Sequence, residues 1–323
     1  MKIKEQFKLR KQGISLEFFP PKSAEGKESF MKVVKDLSAY DPLYVSVTYG
    51  AGGTTRDRTV NTLTWIKQET DLTVMSHLTC IGATRAAVNA LLKEYRADGI
   101  DNILALRGDP PKNVPDFDPG RGEFKYARDL VEFVKKYDYF SVAVAVYPEG
   151  HGQSPSIEKD MEYTKQKIDA GADFGITQMF FDNQYYYEFM DRAAKSGITI
   201  PILPGIMQII DCKKIVEFAG FCNATVPKEI LDRMEPVMDM HEDMRKLGVE
   251  FAVRQCEDLM KHGVGYFHFY TMNRSDSVSE ILNSLGIKSQ GRQPAEAGPR
   301  PEKRGIPRRR YDRRFHRNGK ISS

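Results

Sequence analysis

Glu17 stands between Leu16 and the aromatic pair Phe18-Phe19, and a two-residue period turns its carboxyl away from these neighbours. Burial of such a carboxyl raises its pKa, which makes it a candidate general acid near neutral pH; the structural alternative is a Glu paired to an Arg. Further along, Arg107-Gly108-Asp109 combines a cationic fork, a glycine that admits close backbone approach, and a second carboxylate. The same three residues, with Pro110, also make good turn chemistry. Other polar or aromatic residues recur at comparable spacing: Thr48 and Tyr49 before Gly50-Ala51-Gly52-Gly53, His77, Tyr147 and His151, Gln178 and Asp182, Gln208, and Tyr270 to Arg274. Two carboxylates with imidazoles, amides and aromatic walls suit aldolase, hydrolase or oxidoreductase chemistry, and residue types alone do not choose among them.

What places these residues together is an alternation of short β-branched or aromatic runs with longer stretches of helical period. Eight runs read as strands: 15–19, 44–48, 73–78, 102–106, 141–147, 174–178, 201–206 and 265–270. Segments such as 28–39, 85–97, 125–136, 157–170 and 240–262 repeat apolar residues at three and four and read as amphipathic helices. Eight βα units predict an α/β fold, a (β/α)8 TIM barrel, whose chemistry gathers at the C-terminal ends of the strands. Every candidate above follows or ends such a run. An open doubly wound sheet is the rival, but no run leads into G-x-G-x-x-G or G-x-x-x-x-G-K-[ST].

The chain has 323 residues, 41% apolar and 28% charged, enough for one large core. No apolar run reaches the length of a membrane span, and the charged first residues lack the apolar centre of a secretory signal, so a cytoplasmic protein is expected. Cys80, Cys212, Cys222 and Cys256 lie far apart, without metal-ligand spacing; reduced thiols and no metal are expected. Residues 288–323 hold 12 Lys or Arg against three acids, leaving the first 287 at about −5 of a net +4. That tail, rich in proline and poor in periodic apolar residues, is expected to be disordered beside a catalytic barrel of residues 1–287. Its arginine clusters are the sole nucleic-acid candidate, with a solvated basic extension the plainer reading.

The strand-end segments also carry a resemblance. Leu16-Glu17-Phe18-Phe19-Pro20-Pro21, His77-Leu78-Thr79-Cys80, Leu106-Arg107-Gly108-Asp109, Tyr147-Pro148-Glu149, Gln178-Met179-Phe180-Phe181-Asp182, Pro204-Gly205-Ile206 and Phe267-His268-Phe269-Tyr270-Thr271-Met272-Asn273-Arg274 closely resemble the methylenetetrahydrofolate reductase family. The likeness spans about residues 14–286. It implies a (β/α)8 barrel that binds FAD at the strand ends, takes hydride from NADH or NADPH, and passes it to methylenetetrahydrofolate in a ping-pong relay that feeds methionine synthesis. A folate substrate and a homo-oligomer are expected on the same ground.

By position, the resemblance makes Glu17 the acid that protonates the folate's bridging nitrogen, Asp109 a residue between flavin and pterin, and Gln178 the amide that bonds the pterin. Thr48, Tyr49, Ala51, His77, Arg107, Gly108, Asp109, Tyr126, Ala127, Tyr147, His151, Asp160 and Lys167 would surround FAD. Tyr186 and Phe218 would wall the aminobenzoyl group, and Arg274 would meet the glutamate carboxylate. Gln208 replaces a proline common in the family, and Gln166 stands where some members carry a second basic residue. The basic tail lies outside the family pattern, and inhibition by adenosylmethionine is not expected. The competing readings are a flavin-free barrel lyase or hydrolase using Glu17 and Asp109, and a binding module working through the tail.

Overall fold

The computed structural model describes residues 1–49, 56–110, 117–118 and 122–289. Helix α1 (Ile3–Leu9) precedes β1 (Gly13–Phe18), α2 (Lys27–Ser38), β2 (Tyr44–Val47), α3 (Arg56–Glu69), β3 (Val74–Thr79) and α4 (Arg85–Ala97). There follow β4 (Asn102–Leu106), α5 (Ala127–Lys135), β5 (Ser141–Val146), α6 (Ile157–Asp169), β6 (Phe174–Thr177), α7 (Asn183–Lys195), β7 (Ile202–Leu203) and β8 (Gly205–Met207). The chain continues through α8 (Cys212–Cys222), α9 (Lys228–Met234), α10 (His241–Lys261), β9 (Tyr266–Tyr270) and α11 (Ser275–Ser284). No helix among the described residues is long and apolar enough to cross a membrane.

All pairings are parallel, in the order β7-β6-β5-β4-β3-β2-β1-β9-β8. The 201–206 run, expected as one strand, is two, because Pro204 has no N–H to give a ladder. Ile202-Leu203 pairs with β6 and Gly205 to Met207 pairs with β9, so the two halves of one barrel position close the ring. Thr177 Oγ1 takes the Gly205 N–H at 2.8 Å, and Pro204 O takes the His268 N–H at 2.9 Å. The (β/α)8 barrel expected from the strand count is the observed fold.

Alternation along the strands sorts the apolar residues into two cores. Leu16, Phe18, Val45, Val47, Val142 and Val144 face outward and join the helices, for example Phe30, Leu91 and Leu130. Tyr44, Met75, Leu104, Ala143, Phe174 and Leu203 face inward and fill the barrel. Helix α1, absent from the sequence reading, closes the N-terminal end: Ile3 is fully buried in the inner core and Phe7 packs edge-on against Phe174. The Ile3 and Lys4 amides donate to Asn102 Oδ1 (2.7 Å) and Ser141 Oγ (3.3 Å), which meets the demand of the helix's unpaired first N–H groups. Residues 290–323, and with them nearly all of the basic tail, lie outside the described residues.

Candidate active site

At the opposite end of the barrel, Glu17 projects inward from β1 and is 9% exposed. The register sets Ser15 beside His268 and Glu17 beside Tyr270 on β9. His268 Nε2 is 3.3 Å from Glu17 Oε2, while its Nδ1 shares a hydrogen bond with Ser15 Oγ at 2.8 Å. From β3, His77 Nε2 approaches the same carboxylate oxygen to 3.2 Å, an ion-pair distance without hydrogen-bond alignment. Burial pushes the Glu17 carboxyl up, but the close approach of His77, then the His268 hydrogen bond, more than offset it and hold the pKa at about 2. The expected rise in pKa is therefore reversed. Desolvation was legible from the apolar neighbours, whereas two imidazoles from distant strands were not.

Tyr270 forms the floor beside this cluster, its hydroxyl donating to Thr177 O at 2.7 Å. Gly205 makes the crossing possible, since a Cβ there would lie 2.4 Å from Thr177 O and 2.7 Å from the Tyr270 ring. Burial first, and the Glu17 charge second, raise the Tyr270 phenol far above its ordinary range.

A second group gathers at the ends of β4 and β5. Gly108 adopts φ +83°, and a side chain there would strike Thr79 at 2.7 Å. His151 packs edge-on against Tyr147, with ring centroids 4.7 Å apart. Burial, ahead of the opposing pull of Asp160 and the push of Arg107 and Lys167, lowers the His151 pKa. Helix α6 turns Asp160 (6% exposed), Thr164 (fully buried) and Lys167 toward the barrel at four- and three-residue steps. The Lys167 ammonium donates to Ala145 O at 2.6 Å and lies 5.6 Å from the Tyr147 ring centroid. Burial lowers it to about 8, with Asp160 opposing. Asp160 accepts from Ser154 Oγ at 2.7 Å.

The remaining expectations divide. Thr48 and half-buried Tyr49 end β2, Asp109 is exposed at the mouth, and Tyr126 and Ala127 begin α5. The Asp109 charge contributes to raising the Tyr147 phenol and the half-buried Cys222 thiol. Ala51 lies outside the described residues. Gln178 spends its carbonyl on the Met179 N–H at 2.9 Å, which leaves its amide nitrogen to offer a ligand. Phe218 is half-buried on α8, and Arg274 is the exposed N-cap of α11. Tyr186 is corrected: it is 3% exposed in the helix–sheet core, stacked on Phe180 at 5.5 Å, with its hydroxyl on Ile202 O at 3.2 Å. The helical period of α7 buries this tyrosine instead of presenting it to the mouth. Gln166 accepts from Arg128 Nη1 at 2.8 Å, so a cation from α5 stands at that position.

Ser15 and His268 have no role in the sequence-based reading above; their shared inward parity with Glu17 is the signal that finds them. Among the described residues no His, Cys, Asp or Glu group has an arrangement that holds a metal. A cavity of about 390 Å³ between α7, α9 and α10, lined by Phe181, Asn183, Ile230 and Phe251, holds one strand-end candidate, Asp182, and none of the residues that the resemblance assigns to flavin or folate.

Fold and site thus define a (β/α)8-barrel enzyme with a buried acid–imidazole cluster at the strand C-termini and a cationic, aromatic-walled space beside it. The sequence matches the methylenetetrahydrofolate reductase family over residues 2–286, and the chain belongs to that family. It is 38% identical to 5,10-methylenetetrahydrofolate reductase of Escherichia coli over 276 residues, 85% of this chain and 91% of that protein. Methylenetetrahydrofolate reductase (NADH) 1 of Arabidopsis thaliana is 37% identical over 297 residues, 88% of this chain, which spans about half (50%) of the plant protein's length. A solved structure of an uncharacterized Clostridium thermocellum protein, described as binding two copies of 5-methyl-5,6,7,8-tetrahydrofolic acid, shares the fold at a TM-score of 0.62 and 14% identity. That likeness covers 87% of this chain and 97% of the other.

Proposed function

We propose that this protein reduces 5,10-methylenetetrahydrofolate to 5-methyltetrahydrofolate, with FAD as cofactor and NADH as electron donor. The observation that carries the reading is the Glu17 carboxylate held between two imidazoles at the mouth of a barrel of this family. Plant relatives named for NADH support that donor. The reading extends to a cytoplasmic homo-oligomer whose product supplies methyl groups for methionine synthesis.

The residues fit a flavin dinucleotide. Lys167 and Arg107 offer charge to a pyrophosphate, Tyr147 and His151 offer ring faces, and Gly108 leaves room for close approach. FAD, when bound, supplies a hydride carrier between nicotinamide and folate. Thr48, Tyr49, Ala51, His77, Tyr126, Ala127 and Asp160 are assigned to the same cofactor on the family pattern. Phe218 would wall the folate's aminobenzoyl group, Arg274 would bind its glutamate carboxylate, and the free amide nitrogen of Gln178 would donate to the pterin.

Glu17 carries the proton step. A proton placed on the folate's bridging nitrogen opens the five-membered ring to an iminium, whose carbon then accepts hydride and becomes the methyl group. A carboxyl held at about 2 stores no proton near neutral pH in the unliganded site, so Glu17 takes up a proton from solvent once folate is bound and passes it to the bridging nitrogen. Asp109, at the same mouth, orients the pterin and sets negative charge near the cofactor.

The test is an anaerobic titration of purified, FAD-loaded protein followed at the flavin absorption band. Bleaching by NADH and recovery on adding methylenetetrahydrofolate is the expected result. A protein that cannot be loaded with FAD would overturn the reading and leave a flavin-free barrel lyase or hydrolase.

A further inference from the structure

The strand that carries Glu17 runs into Pro20 and Pro21, which have no N–H for a ladder, and Phe19 is 44% exposed. Its end is instead held from β9 by the turn Thr271 to Arg274. The Thr271 hydroxyl donates to Glu17 O at 2.6 Å and its backbone N–H reaches the same oxygen at 3.2 Å. Met272 and Asn273 are both left-handed, with φ of +51° and +55°, a conformation costly for a methionine. That shape lays the Asn273 amide along Phe19: Oδ1 accepts the Phe19 N–H and Nδ2 donates to Phe19 O, each at 2.9 Å.

Gln208 closes the arrangement from the other side. It follows β8, is 3% exposed, and donates from Nε2 to Thr271 O at 2.6 Å. Its Oε1 is buried without a hydrogen-bond partner among the described residues. An unmade acceptor in the interior costs stability, and an apolar side chain of the same shape would avoid that cost. The donated bond to Thr271 is what the amide adds at this position. Backbone strain and an orphaned acceptor thus converge on one turn next to the acid, where local strain serves placement.

We propose that Gln208 and Asn273 are positioning residues for Glu17, acting through Thr271 and Phe19 to hold the carboxyl against the folate's bridging nitrogen. The inference rests on the folate-reductase reading for its kinetic consequence. Neither side chain hydrogen-bonds the carboxylate itself, so neither is catalytic. The same turn launches Arg274, whose N–H donates to Thr271 O at 2.9 Å, so acid and proposed carboxylate anchor are set by one clamp.

Two variants test it. Gln208→Met removes the donor together with the orphaned acceptor, and Asn273→Gly keeps the left-handed backbone while removing the amide pair. Both are expected to bind FAD, to be reduced by NADH within about twofold of wild type, and to melt no lower than wild type for Gln208→Met. Reoxidation by methylenetetrahydrofolate should slow roughly ten- to a hundredfold, the usual effect of a small misplacement of a reacting group. Asn273→Asp, which still accepts the Phe19 N–H, should fall between. Unchanged reoxidation, or parallel losses in both half-reactions, would overturn the clamp. Hydrogen exchange gives a reading independent of activity: the Phe19 amide should exchange faster in Asn273→Gly, and unaltered exchange would overturn the clamp even if wild type proved inactive on folate. Wild-type inactivity with faster exchange would retain the clamp and sink the folate reading.

Discussion

Glu17 and His268 stand 3.3 Å apart, Oε2 to Nε2, on neighbouring strands at opposite ends of the chain, and Ser15 fixes the far nitrogen of the imidazole at 2.8 Å. With His77 at 3.2 Å from the same oxygen, the carboxylate is approached by imidazoles from two sides.

A pH dependence of stability follows. The folded pKa of about 2 lies below the ordinary 4.5, so Glu17 contributes stability above about pH 4.5 that is lost as pH falls toward 2. The contribution is at most about 3 kcal/mol. Denaturant melts of wild type and Glu17→Gln should differ at pH 5 and converge as pH falls toward 2. Curves parallel at all pH values would contradict the ion-pair description.

On the proposed flavin reading, Lys167 would make cofactor affinity pH-dependent in the other direction. Its ammonium titrates at about 8, so below that pH it is charged and favours a pyrophosphate. FAD dissociation constants, read from the fluorescence of free flavin, should rise as pH passes through 8. Lys167→Met should weaken binding roughly tenfold at pH 7 and remove that inflection. A variant with wild-type affinity would place the phosphate elsewhere.

Gly205→Ala tests the closure of the barrel. The added methyl would meet Thr177 O and Tyr270, two groups already bonded to each other. We expect a loss of about 2–4 kcal/mol in urea unfolding, from overpacking against backbone. A change under about 0.5 kcal/mol would mean that Tyr270 does not cross between these strands.

Strand count, helix amphipathicity and the strand-end position of most site residues were legible because period-2 and period-3.6 patterns report burial directly. Helix 85–97 is observed at those bounds, and the strand at 102–106 likewise. Elsewhere the chain-local signal ended early. Pro204 splits one strand, and the different partners of its two halves, β6 and β9, leave no local mark in the sequence. The first helix is short and charged, and only Ile3 and Phe7, fitted into the barrel's end, give it a place. Tyr186 sat in an aromatic run, Tyr185-Tyr186-Tyr187, in which the helical phase alone decides which ring is buried. For Glu17 the sequence showed burial but not the imidazoles that reverse its effect.

Ile3→Ala separates the stabilising end of the barrel from the reactive end. Truncating this fully buried side chain should cost about 2–4 kcal/mol in thermal or urea unfolding. Turnover of folded protein should remain within about twofold. A large fall in turnover without loss of stability would contradict this division.

The central claim is that Glu17 serves the proton step to folate and not hydride transfer from nicotinamide. Anaerobic stopped-flow absorbance of FAD-loaded Glu17→Gln tests it most directly, because the amide keeps the shape and removes the ionisable proton. The account predicts flavin reduction by NADH near the wild-type rate and reoxidation by methylenetetrahydrofolate slowed by at least about a thousandfold. Equal losses in both half-reactions, or reoxidation at the wild-type rate, would contradict it.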